Sequence, residues 1–315
     1  MEAKTGDLAL STAWCAAQVD TAGELLGRLE ETGLRRLELE YRLTPEVVEG
    51  LAREPRARDL DVVSVHNFCP LPEGMPRQRA SGDLFNLAST DGEERRLAVR
   101  HTIHTLELAD RLECRRVVLH LGWVEGLEGA GVVQEAVEAG GPTPRLRELL
   151  AVRRARAGRH LDAVSFALER LIARALELEI ILGLENRFHP HQVPDLDELE
   201  VLLRRFAGAP LGYWHDTGHG WVRRQAGLEP VGDWLALAGD ALVGCHLHDA
   251  VGSRDHLPPG GGELDWRREA VRLAAAPVKV LEIHPGPDAA EVVRAAELLA
   301  AELARAEQEP QEGQA

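Results

Sequence analysis

Eight short apolar runs rich in β-branched residues alternate with longer amphipathic segments along the whole chain, and this rhythm constrains the fold more than any other feature. The expected strands are residues 7–14, 34–40, 60–66, 115–121, 179–185, 210–216, 241–249 and 278–284. Between them apolar residues recur at three- and four-residue steps, as in HLDAVSFALERLIARALEL and DAAEVVRAAELLAAELARA, the spacing of helices laid over a sheet. Gly33, Pro210 and Pro277 punctuate helix ends, and Thr44-Pro45 opens a helix with proline at its first position. Eight strand–helix alternations is the count that closes a parallel barrel. An open doubly wound sheet would want a glycine-rich phosphate turn after its first strand, and STAWCAAQVDTAG contains no G-x-G-x-x-G. The expected fold is α/β: a single (β/α)8 TIM barrel over residues 1–306, followed by a flexible polar tail, residues 307–315.

One stretch breaks the rhythm. Residues 123–159, after the fourth strand, form a connection long enough to be a functional cover, and in a barrel it would emerge on the catalytic face. Its second half carries Arg145, Arg147, Arg153, Arg154, Arg156 and Arg159. These fit a solvated helix face, a contact between subunits of a homo-oligomer, or a lid presenting arginine to an anionic substrate.

Composition narrows the function. The 315 residues carry 36 Lys and Arg against 52 Asp and Glu, a formal charge of −16, with no basic tail. Binding to nucleic acid through phosphate neutralisation is therefore not expected. No run of 18 apolar residues offers a membrane span, and the first twenty residues lack the long apolar core of a signal peptide, so a cytoplasmic location is the expectation. Cys15, Cys69, Cys114 and Cys245 are widely spaced and read as buried free thiols rather than a disulfide framework or thiolate metal site.

The histidines and carboxylates are better placed than chance would put them. The third strand ends at His66, the fourth reaches His120, the fifth ends at Glu185 and the sixth at Asp216. The seventh carries His246 and His248, and the eighth carries Glu282 and His284. Side chains alternate along a strand, so these groups can converge on one point at the barrel mouth. Imidazoles and carboxylates crowded there would repel one another or carry large desolvation costs, which a divalent cation relieves. An all-nitrogen-and-oxygen donor set suits Zn2+, Mn2+ or Co2+, with Mg2+ at its oxygen-rich end. His219 lies three residues after Asp216, and His256 precedes the PPGGG turn, whose glycines allow close backbone approach to a ligand. His101, His104 and His160 read as structural, and His189 and His191 as residues of a rim loop that are either solvent-exposed or in reach of substrate.

The segments SVHNF, VVLHLG, LGLENR, HDTGH, CHLHDA, HLPPGGGELDW and VLEIH, in this order, resemble the xylose-isomerase-like barrel superfamily, which joins sugar phosphate isomerases and epimerases to the endonuclease IV family. The similarity runs from the first strand to the eighth and leaves out the arginine-rich stretch and the tail. For the isomerase and epimerase members it implies one metal on Glu185, Asp216, His246 and Glu282, with the two glutamates also moving the substrate proton. For the endonuclease IV members it implies further metal ligands at His66, His120, His219 and His256. The pattern departs from that family at Arg254, where a third-site aspartate is expected; Asp249 or Asp255 would have to substitute.

The leading expectation is a divalent-metal-dependent isomerase or epimerase of a small sugar, sugar phosphate or polyol, with Glu185 and Glu282 as acid and base. His66, His120 and His248 would orient hydroxyls, and Arg187 or the arginines of residues 123–159 would grip a phosphate. Trp14, Phe68 and Trp123 would form an apolar wall or, as is commoner for such residues, pack in the core. The alternative is a metal-dependent hydrolase with a multinuclear centre, acting on a phosphodiester or a small substrate. A lyase acting on a polyol and a noncatalytic metal-binding barrel are further readings.

Overall fold

The computed structural model describes residues 5–54, 57, 59–129, 131–228 and 231–308. Eight parallel strands close a barrel: β1 (Leu8–Ser11), β2 (Arg36–Leu39), β3 (Asp61–His66), β4 (Arg116–Leu119), β5 (Ile181–Glu185), β6 (Leu211–Asp216), β7 (Leu242–Leu247) and β10 (Lys279–Leu281). Each pairs with its neighbour in sequence, and β1 closes on β10. A two-stranded antiparallel hairpin, β8 (Asp249–Val251) and β9 (Arg254–Leu257), stands on the loop after β7.

The strands are shorter than the apolar runs because polar side chains end them. Ser11 accepts a hydrogen bond from the Ala13 amide and turns the chain after β1. The seventh run is cut at Leu247, so His248 lies past the strand end and Asp249 opens the hairpin. Extra residues enter two strands. Register slips between β2 and β3 at Val63 and between β6 and β7 at Val243, and such bulges re-aim the side chains that follow.

Ala9, Val63, Val118, Trp214, Val278 and Val280 fill the barrel interior. Trp214 is fully buried, and a Cβ on Gly244 of the neighbouring strand would stand 2.2 Å from its ring. A glycine is therefore required opposite the indole, and the Trp214 ring becomes the floor of the mouth, edge-on to His246 at 5.2 Å. The second, larger core lies between the strands' outer faces and the surrounding helices, and all four cysteines are buried and free.

Helices α1 (Ala22–Glu30), α2 (Pro45–Arg53), α3 (Gly92–Arg111), α4 (Val132–Glu138), α5 (Pro144–Leu178), α6 (Leu196–Arg205), α7 (Thr217–Gln225), α8 (Val231–Ala238), α9 (Trp266–Leu273) and α10 (Ala289–Gln308) surround the sheet. The arginine-rich part of residues 123–159 is not a separate excursion. It is the first half of the 35-residue helix α5, started by Thr143, whose hydroxyl accepts from the Leu146 amide, and by Pro144. The apolar stripe continues through Leu146, Leu149 and His160, and a buried Arg153 occupies one of its positions. Arg153 lies 2.7 Å from both Asp195 and Glu198 and donates to the Gln192 carbonyl. A charge in the stripe hid the helix from a reading based on periodicity. Arg153 is an internal tie between α5 and α6, and Arg156 donates to the Gly126 carbonyl at 3.1 Å. At the other end, α10 continues to Gln308, and the rest of the tail expected at 307–315 lies outside the described residues.

Candidate metal centre

All the strand-end groups expected at the mouth arrive there. Donor atoms of Glu185, Asp216, His246 and Glu282, all buried, lie within 4.8 Å of one another. His246 Nδ1 is 3.1 Å from Glu282, 3.6 Å from Glu185 and 3.8 Å from Asp216. Behind the ring, His246 Nε2 lies 3.0 Å from Glu38 Oε2, and that oxygen also accepts from the Ser64 hydroxyl at 2.8 Å. A proton on Nε2 donated to Glu38 leaves the Nδ1 lone pair aimed at three carboxylates. Nδ1 makes no hydrogen bond, and neither does Glu185 Oε2, although both are buried. Buried polar atoms without partners are costly, and anions facing a lone pair repel it. A cation between them satisfies every donor, so these residues fit a divalent metal, with Glu38 fixing the imidazole from behind. Burial disfavours a charged His246, but Glu282 and Glu38 outweigh it and lift its pKa well above the ordinary value. The protein calls for positive charge at this point.

A second group adjoins the first. His66 Nδ1 faces the Asn67 carbonyl at 2.8 Å, which turns its Nε2 to Glu185 Oε2 at 3.3 Å; His120 Nε2 meets the same oxygen at 3.0 Å. The other oxygen, Glu185 Oε1, faces His246 and, at 3.3 Å, His219. The Glu185 carboxylate thus stands between two donor sets. Burial pushes its pKa up, and the imidazoles around it, His120 first and then His219 and His246, overcome that and hold it well below the usual range.

A third group joins His219, Asp255 and His256, and a fourth overlaps it with Asp216, His248, His256 and Glu282. His219 Nε2 is 3.7 Å from Asp255, and His256 Nδ1 is 3.0 Å from it. Asp255, the residue next to Arg254, is thus the acid of the hairpin that reaches His219 and His256. Asp249 does not. Its carboxylate accepts from the amides of Ala250, Gly260 and Leu264 and from the Trp266 indole, all at 2.9–3.0 Å. A Cβ on Gly262 would meet that carboxylate at 2.3 Å. What the glycine turn approaches closely is the chain's own Asp249.

Other expectations need correction. Both nitrogens of His248 are engaged, Nε2 at 2.9 Å from Asp216 and Nδ1 accepting from the His256 amide at 2.8 Å, so it orients Asp216 rather than a substrate hydroxyl. Arg187 is buried and pairs with Asp83 at 2.9 Å, its other amino group facing Glu185 and His120, so it is not an outward grip for phosphate. Trp14 and Phe68 belong to the core, Trp14 donating to the Pro287 carbonyl and Phe68 meeting Phe85 edge-on. Trp123 pairs through its backbone with Gln192, next to Asn86. His189 and His191 are half-buried beside Phe188, and burial pushes the His189 pKa down to about 4. His160 is buried and structural as expected, facing the Ala88 carbonyl at 2.8 Å.

Residues that went unnoticed in the sequence complete the centre. Glu38 lies in LRRLELE at an inward position on β2, and extending the strand-end argument to the second strand would have found it. Asp83 lies in an irregular loop with no periodicity to mark it; it holds Arg187 and Gln192 and approaches His120 at 3.2 Å. Asn186 accepts from the Tyr213 hydroxyl and the Asp216 amide, fixing the end of β6.

A closed eight-stranded parallel barrel with buried imidazoles and carboxylates at the C-terminal ends of its strands defines the class, and the chain belongs to the xylose isomerase-like TIM barrel family, whose model matches residues 26–302. Among solved structures it is similar to a D-tagatose 3-epimerase-like protein, at 19% identity with a TM-score of 0.68, covering 96% of this chain and 98% of that one. It is similar to an L-ribulose 3-epimerase at 15% identity and a TM-score of 0.68, covering 97% and 99%. A protein of Thermus thermophilus, soaked with zinc chloride, shares 25% identity with a TM-score of 0.60, covering 94% and 98%. An uncharacterised protein of Sinorhizobium fredii is 30% identical over 115 residues, 36% of this chain and about a third, 33%, of that protein's length.

Proposed function

We propose that the protein is a divalent-metal-dependent isomerase or epimerase of a small sugar, sugar phosphate or polyol. The observation that carries this reading is the buried quartet Glu185, Asp216, His246 and Glu282, whose two glutamates could exchange protons with a substrate held between them. The sugar epimerases among its structural relatives agree with it. A cation bound by the quartet would supply Lewis-acid polarisation of a substrate carbonyl. Glu185 or Glu282 would take the proton from the neighbouring carbon, and the other, itself protonated, would deliver its own proton at the adjacent carbon or from the opposite face. Asp216 is held for its task by His248 and His246 by Glu38, while the Trp214 floor keeps water from below. The test is interconversion of ketoses by the metal-supplemented protein, with chelator as control. Turnover that chelator abolishes and metal restores supports the reading.

One observation favours a second reading, metal-assisted hydrolysis. Glu185 divides its two oxygens between donor sets, and His219, Asp255 and His256 form a third beside them, as a multinuclear centre would require. Three bound metals per chain with cleavage of an abasic duplex or a small phosphodiester, and no ketose turnover, would replace the first reading with the second.

A further inference from the structure

An open cavity of about 930 Å3 lies beside the centre, between the β8–β9 hairpin with its glycine turn and the loop from β10 to α10. Asp255 and His256, members of the third donor group, are among its lining residues, so the cavity adjoins the centre. The His256 and His284 rings lie stacked at 3.8 Å and 3°, and the stack continues to His248 at 4.1 Å. Leu257 and Leu298 add apolar wall, and Arg254 and Arg294 also line the space.

The charges in this cavity are not equally committed. Asp255 is taken up by His256 and approaches His219. Glu291 closes the first turn of α10, accepting from the Asp288 amide while Asp288 accepts from the Glu291 amide. No carboxylate of the described residues lies within ion-pairing distance, 4.0 Å, of Arg254 or Arg294. In a chain with a formal charge of −16, Arg254 and Arg294, both solvent-exposed and both lining one cavity, are unlike the other arginines near the mouth, since Arg187 is paired with Asp83 and Arg42 with Glu40. Guanidinium presents a planar fork that matches phosphate or carboxylate oxygens. Loops after the seventh and eighth barrel strands are also where barrels often hold such a group. The volume exceeds what one monosaccharide fills, within the usual range for a small-molecule site.

We infer that this cavity is the substrate's anionic subsite: the reacting end lies at the metal centre, and a phosphate or carboxylate carried by the same molecule is held by Arg254 and Arg294. The inference rests on the mouth being the reaction centre and deepens it by naming the substrate class as anionic. It moves the grip expected of Arg187 and of the arginines in α5 to the opposite side of the mouth.

The test is calorimetric titration of the metal-loaded full-length protein with D-ribose, D-ribose 5-phosphate, D-ribonate and inorganic phosphate, repeated on Arg254→Ala/Arg294→Ala with its metal content checked to be unchanged. At least one of the two anionic sugars should bind about tenfold or more tightly than ribose, and the double variant should lose at least ~10-fold for it, with ribose unaffected. A loss confined to ribose 5-phosphate identifies the group as phosphate, and one confined to ribonate identifies a carboxylate. Equal binding of ribose and both anions, or an unchanged or uniformly weakened double variant, overturns the inference. Binding contrast without turnover of any sugar defeats the isomerase reading and leaves the subsite standing. Turnover without the contrast does the reverse.

Discussion

Asp249 and Glu185 are both buried acids at the open end of the barrel, and they are satisfied in opposite ways. Asp249 receives three backbone amides and an indole, all donors from the chain itself. Glu185 faces His66, His120, His219 and His246, and its Oε2 makes no hydrogen bond. The first arrangement is complete without a ligand, so its role is to pin the turn that carries the hairpin of Asp255 and His256. The second is incomplete, because Glu185 Oε2 and the facing His246 Nδ1 are buried without a hydrogen-bond partner. Two acids separated by this criterion have different work to do, although composition and burial describe them alike.

That contrast is open to direct attack. Glu185→Gln and Glu282→Gln should each lower turnover by at least ~100-fold, the loss expected of an acid–base group, while thermal unfolding of the metal-free protein stays within a few degrees of wild type. Steady-state kinetics and a melting curve on one preparation check both halves. Asp249→Ala should do the reverse to the fold, leaving four donors, three of them buried, without an acceptor and costing about 3 kcal/mol of stability. Chemical denaturation reads this directly, and a variant as stable as wild type would remove the distinction. Adding zinc or manganese at a hundred times its dissociation constant should stabilise wild type by about 2.7 kcal/mol, with no such gain in Asp216→Asn/His246→Gln. The smallest effect belongs to Glu38→Gln. Loosening the partner behind His246 should weaken metal binding by roughly 10- to 100-fold, measured by competition with a chromogenic chelator.

The barrel was legible because each strand is a short apolar run buried on both faces and each covering helix repeats the same 3.6-residue stripe, so errors in one element did not spread to the rest. The mouth was legible for a related reason: a strand that ends in an imidazole or carboxylate delivers it to the rim wherever the strand itself begins. What escaped lay where local pattern and tertiary role disagree. Arg153 reads as a break in the α5 stripe because the acids that neutralise it, Asp195 and Glu198, are some forty residues away in sequence. Asp249 reads as a candidate ligand because only folding brings Gly260, Leu264 and Trp266 around it. Asp83 lies on a loop, where no period marks which side chain turns inward. The approach of Asp255 to His256 depends on a hairpin turn that spacing alone did not specify.

The central claim is that the unsatisfied donors at the mouth form a cation site, and elemental analysis of metal bound per folded chain tests it most directly. The protein is equilibrated with zinc or manganese and then freed of loosely held ions. At least one equivalent should remain on wild type and be lost from the Asp216→Asn/His246→Gln variant. A wild-type protein that keeps essentially none, or a variant that keeps as much as wild type, contradicts the account.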